Sequence, residues 1–168
     1  MIQAIPKGAN MDWIIEKSVE LGVNHIFPVT TERTIVKLDA KDFSKKQEKW
    51  QRVALEACKQ CGQNWLPQVH MPASFSVTLE TSPAHELKII AALQPDARSL
   101  KAILTEPRTR NQEPKNLCLA IGPEGDFTPA EYDLARAQGF MPMSLGPLVL
   151  RVETAALYAM SAIVHELR

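Results

Sequence analysis

A charge bias is the first thing this sequence lacks. Lys and Arg together number 19, and so do Asp and Glu, across 168 residues. A neutral chain exerts no global pull on a polyanion, so any nucleic-acid contact must come from a local patch. Long apolar runs are missing too. The longest near-apolar stretch, Ala155–Val164, falls well short of the ~20 residues that a membrane span needs. The first ten residues hold one Lys and no apolar centre, unlike a secretory leader. Three cysteines make no even disulfide framework, so a reducing, cytoplasmic setting is expected. Cys58 and Cys61 form a C-x-x-C pair, but Cys118 and the four scattered histidines supply no second ligand pair. No metal site is therefore expected, and the pair reads as small packing residues. There is no G-x-G-x-x-G after a strand-like run and no G-x-x-x-x-G-K-[ST], so neither a dinucleotide site nor a phosphate loop is signalled. No internal repeat or low-complexity segment interrupts the chain.

What is present is ordinary in bulk and specific in one place. Apolar residues make up 45% and charged residues 23%, as in a single soluble globular domain with a real core. The specific place is Gly122–Thr154. There, two glycine-bearing turns each follow an apolar run, Leu117–Ile121 before Gly122 and Phe140–Leu145 before Gly146. Glycine lets the main chain take φ > 0 or approach a ligand closely, and open α/β sheets bind ligands beyond the carboxyl ends of their strands. Two such turns side by side would form a pocket walled by backbone. Thr128-Pro129-Ala130-Glu131 is a capping box with Pro at the first helical position, and Gly139 marks that helix's end.

Along the chain, Asn10 is expected to cap a helix from Met11 to Leu21, with Met11, Ile15 and Val19 on one face. His25–Val29 and Thr34–Leu38 look like strands joined by a Glu32-Arg33 turn, where Arg33 is free to reach a polyanion. Ser44 opens a capping box for a helix to Cys61, with Trp50, Ala54, Ala57 and Cys61 as its apolar stripe. The same helix carries a local basic excess. Gln68–Met71 reads as a short strand and Phe75–Leu79 is ambiguous. Ser82–Glu86 reads as a short helical turn and Lys88–Leu93 as a buried strand. Asp96 is expected to cap a helix to about Leu104, and Thr105–Lys115, with Arg108 and Arg110, is the longest linker. The final helix starts at Glu153, with Ala156, Met160, Ile163 and Val164 as a stripe that serves either a core or a dimer seam. The alternation of strands and helices predicts an α/β fold with a mostly parallel sheet flanked by helices.

The motifs GPEGDF at Gly122–Phe127 and LGPLVLRVETAALYA at Leu145–Ala159 resemble the signature of the ribosomal RNA uridine-N3 methyltransferases, which belong to the SPOUT, or α/β-knot, class. Ile5–Gly8, Glu16–Val23 and Glu56–Pro67 are similar to that family too. The resemblance implies a C-terminal trefoil knot, with the Leu145–Arg151 loop threaded. It also implies S-adenosylmethionine as cofactor. Backbone groups of Gly122, Pro123, Glu124 and Gly125, and of the loop holding Leu145, Gly146, Leu148 and Leu150, would hold the adenine. Leu93, Ile121, Leu145 and Leu150 would wall it, and Thr154 would complete the set. The implied acceptor is N3 of a uridine in the small ribosomal subunit, which must lose a proton to attack. Arg151 is the candidate cation and Glu153 or Glu124 the candidate partner acid. Family members form homodimers and usually carry a β-rich RNA-binding domain in front. The chain as given is expected to be the methyltransferase domain alone, residues 1–168. Three positions depart from the usual pattern: Asp126 for a second Gly, Leu148 for an Arg and Gln63 for an Arg. Two readings stay open beside this one: a cofactor- or RNA-binding module with little activity, and a methyltransferase acting at another RNA position.

Overall fold

The computed structural model describes residues 1–36, 40–106 and 114–167. The strands are β1 (Ile2–Ala4), β2 (His25–Thr30), β3 (Gln68–Val69), β4 (Ala73–Ser74), β5 (Leu87–Ala91), β6 (Leu117–Ile121) and β7 (Met141–Met143). The helices are α1 (Asn10–Glu20), α2 (Ala40–Cys61), α3 (Phe75–Thr81), α4 (Leu100–Leu104), α5 (Pro129–Ala137) and α6 (Val152–Glu166). The strands form one sheet in the order β3-β2-β1-β6-β5-β7, with β4 also on β2. Every strand pair is parallel. Side chains alternate between the two faces, as a strand requires. Leu87, Ile89 and Ala91 pack with α1, α2, α4 and α6, whereas Ile90 and Ala92 pack with α3 and α5. Both faces are covered, which is why β6 reads as a continuous apolar run and β5 as one broken only by Lys88.

The least expected element is also the most central. β1 lies between β2 and β6 and pairs with both through Ile2. Three residues are too few to show a period, so the sequence carries no signal for it. Other boundaries moved for local reasons. Ala9, not Asn10, precedes α1, because the Asn10 amide donates instead to Glu153. Thr34–Val36 is irregular rather than a strand; the Thr34 hydroxyl takes the Thr31 amide at 2.9 Å and turns the chain. Leu38 lies outside the described residues, as do Arg108 and Arg110. α2 starts at Ala40, one turn before Ser44, with Asp42 suiting its N-terminal dipole. Its stripe includes buried Cys58, whereas Cys61 is exposed. Ser74 caps α3 by accepting from Val77, which resolves Phe75–Leu79 as helix. Ser82 is held extended before Pro83, so the expected turn at Ser82–Glu86 does not form. Ser99 caps α4, because Asp96 pairs with Arg136 at 3.0 Å. On α6, Ala156, Met160 and Ile163 belong to the core of the chain itself, and Val164 is only partly buried. No helix among the described residues is long and apolar enough to cross a membrane.

Candidate functional site

The site lies where the chain doubles back. After β6 the chain crosses over β5 to add β7 on the far side, so the carboxyl ends of β5, β6 and β7 are neighbours. An open cleft sits beyond them, at the place that open parallel sheets reserve for ligands. Residues 91–93 close one side, the turn after β6 a second, and the turn after β7 a third, with Val152 and Ala155 of α6 beneath. Among the positions singled out in sequence, Leu93, Ile121, Gly122, Pro123, Glu124, Leu145, Gly146, Leu148 and Leu150 all line it. Gly125 and Thr154 do not. Thr154 is exposed on α6, and Gly125 faces Arg33.

The turn after β6 is held from several directions. The Lys7 amide donates to Glu124 Oε1 at 2.8 Å. Arg33 Nη1 donates to the Gly125 carbonyl at 2.8 Å, and its aliphatic stem lies so close that a Cβ on Gly125 would meet it at 3.2 Å. Arg33 thus serves the loop rather than standing free for a polyanion. Its neighbour Glu32 donates its amide to Glu131 Oε1 at 3.0 Å. Glu131 also closes the capping box, accepting from the Thr128 amide at 2.9 Å while Thr128 Oγ1 takes the Glu131 amide. Asp126 adopts φ 62°, the left-handed conformation that its Gly-replacing position implied. The hydroxyl of Tyr132, itself fully buried, donates to Asp126 Oδ1 at 2.7 Å and lies 3.3 Å from the Ala91 carbonyl. Burial, and then the Asp126 carboxylate, push the Tyr132 pKa well up, so the phenol stays a donor. Lys7, Arg33 and Tyr132 were missed as site residues. Each reaches the turn by a tertiary contact, and only Tyr132 lay near enough in sequence for its capped helix to suggest it.

The turn after β7 is anchored at its start, where the Ser144 amide donates to the Arg98 carbonyl at 2.9 Å, and held lightly beyond it. Gly146 has φ 108° and donates its amide to Ser144 Oγ at 3.2 Å. Leu148 and Val149 are 72% and 78% exposed. Arg151 follows, exposed, in the position before α6, between two cleft residues, Leu150 and Val152. Its guanidinium makes no hydrogen bond or ion pair with the described residues. The two candidate acids are engaged elsewhere: Glu153 Oε2 accepts from Asn10 Nδ2 at 3.2 Å, and Glu124 holds the Lys7 amide. The arrangement is an apolar cleft with backbone on two sides and one unpaired cation at its rim. Among the described residues no group of three or more His, Cys, Asp or Glu gathers as a metal would need. The buried Cys58 thiol donates to the Trp65 carbonyl at 3.1 Å, the contact of a packing residue.

Comparison with known proteins gives this geometry a context. A ribosomal RNA small subunit methyltransferase E from Bacillus subtilis is 34% identical over 162 residues, which is 96% of this chain and 63% of that protein. A solved protein of Legionella pneumophila, described as a methyltransferase and holding its cofactor S-adenosylmethionine, superposes with a TM-score of 0.87 at 36% identity, covering 98% of this chain and 66% of that one. The small subunit methyltransferase E of Neisseria gonorrhoeae, solved bound to S-adenosylmethionine, gives a TM-score of 0.83 at 36% identity, covering 96% and 64%. This chain spans between 50% and 63% of the length of the first curated relatives it matches. The family model described as the RNA methyltransferase domain matches residues 1–164, and the chain belongs to that family.

Proposed function

We propose that residues 1–168 form the methyltransferase domain of an enzyme that uses S-adenosylmethionine to methylate small-subunit ribosomal RNA, at N3 of a uridine. The observation that carries this reading is the cleft itself: two glycine-bearing turns face each other across the carboxyl ends of β5, β6 and β7. The residues present fit such a cofactor. The walls are apolar, main-chain groups of both turns are at hand for an adenine edge, and among the described residues no basic side chain lines the cleft to oppose a cationic ligand. Related proteins with the same fold hold S-adenosylmethionine. When bound, that cofactor supplies a methyl on a good leaving group, so the protein's task is to bind, orient and align.

In this reading Leu93, Ile121, Leu145 and Leu150 wall the adenosine. Main-chain groups of Gly122, Pro123, Glu124, Gly146 and Leu148 supply polar contacts. Gly125 contributes by admitting Arg33, and Thr154 is the weakest member of the set. Arg151 stabilises the uracil anion: a guanidinium is always charged, and this one is free to turn toward a base at the cleft rim. Glu153, now held by Asn10, is the second catalytic candidate, accepting the proton or steering Arg151. The reading includes the trefoil knot that the family resemblance implies, and a homodimer, for which exposed Trp13 and Tyr158 offer apolar surface. Tritium transfer from labelled cofactor to undermethylated small subunits tests it. Arg151→Ala should keep most cofactor affinity while transfer falls by ~100-fold or more, the scale of one transition-state contact. Unchanged transfer in that variant would remove Arg151 from the chemistry. Label recovered at another position would favour the alternative acceptor, and absence of any transfer would favour a binding module.

A further inference from the structure

Fifteen of the described residues line the cleft, and the two with ionisable side chains, Glu124 and Asp126, are both acids. They are not equivalent. Glu124 is exposed, and one of its oxygens is committed to the Lys7 amide. Asp126 is partly buried, and its Oδ1 takes the Tyr132 hydroxyl at 2.7 Å while the second oxygen has no donor among the described residues. The brace is neutral. A phenol fixes the carboxylate in place without cancelling its charge, as Lys or Arg would, and Arg136, which lies over the Tyr132 ring, spends its guanidinium on Asp96 and Asp133. A fixed negative charge beside apolar walls acts at short range with little screening. The left-handed backbone at this position is one that glycine takes freely, so the backbone itself does not call for a carboxylate; the Tyr132 hydroxyl uses only one of its two oxygens.

We propose that Asp126, braced by Tyr132, is a charge-selecting residue of the cleft: it favours the sulfonium cofactor over its thioether product, S-adenosylhomocysteine, whose sulfur is uncharged. This rests on the cofactor reading above. It gives the cleft a way to loosen its grip once the methyl has left, since the lost positive charge is the one that Asp126 attracts.

Calorimetric titration of the full chain with each ligand tests it, comparing wild type with Asp126→Asn. Asn keeps the shape and tolerates positive φ. The expected result is that affinity for S-adenosylmethionine falls roughly fivefold more than affinity for S-adenosylhomocysteine, and that raising salt narrows the wild-type preference. Tyr132→Phe keeps the charge and removes only the brace, so the relative preference for the sulfonium should survive even where both ligands weaken. A purely structural Asp126 would weaken both ligands equally in Asp126→Asn, and that result overturns the inference while leaving the cofactor reading intact. If neither ligand binds the wild-type chain, both fall.

Discussion

The two turns that face each other across the cleft are built in opposite ways. The turn after β6 is tied down by Lys7, Arg33 and Tyr132, and ends on Phe127, which is 1% exposed and packs on Phe75 with ring centres 4.6 Å apart. The turn after β7 is tied at its start, where the Ser144 amide donates to the Arg98 carbonyl at 2.9 Å; beyond that it has one short-range hydrogen bond among the described residues and presents Leu148 and Val149 to solvent. One wall is therefore part of the fold, and the other is a flap of apolar side chains that gains burial only when something fills the cleft. In the proposed reading, preorganising one side lowers the entropy lost on binding, and the less anchored side would let ligands enter and leave.

That contrast can be broken by substitution. Phe127→Ala removes a core ring from the fixed turn and should cost ~3–5 kcal/mol of stability, measured by urea unfolding, with cofactor binding lost as well. Gly146→Val acts on the open turn. A Cβ there meets nothing within 4 Å, but φ 108° is strained for any residue other than glycine. The expected cost is ~1–3 kcal/mol, and cofactor affinity should disappear in calorimetry because the turn must change shape; normal affinity would show that its backbone is no ligand. Leu148→Ala should change stability by less than ~0.5 kcal/mol, since the side chain is already in water, yet weaken cofactor binding several-fold. If Leu148→Ala destabilised the chain as much as Phe127→Ala, the two turns would not differ in the way described.

The same contrast explains what could be read from the chain in advance. Both glycine turns, the Thr128–Glu131 capping box and the strands β5 and β6 leave local signals: a φ > 0 residue, a cap at fixed spacing, an apolar run between breakers. The fixed turn's supports leave none. Arg33 bonds to a residue 92 positions away and Lys7 to one 117 away, and no periodicity records a contact at that distance. β1 was hidden for a different reason, being three residues long, although the sheet is built around it. The basic excess on helix α2 is a surface feature of a different kind. Lys49, Arg52 and Lys59 pair with Asp12, Glu48 and Glu56, so the local basic excess is in part offset by acids on the same wet face.

Arg151 and Asp126 sit at the two poles of this design. The cation stands at the rim next to the loose turn, without a partner, and the anion is locked inside the rigid one. A donor that is positive at sulfur and an acceptor that becomes negative at nitrogen would meet between them.

A crystal structure of the chain with S-adenosylhomocysteine tests the central claim most directly. The expected density places adenosine between Gly122–Asp126 and Leu145–Leu150, with the Leu148–Val149 flap ordered over it and the β6 turn unmoved. Density anywhere else, or a ligand held by side chains with both turns remote from it, would contradict the placement of the site.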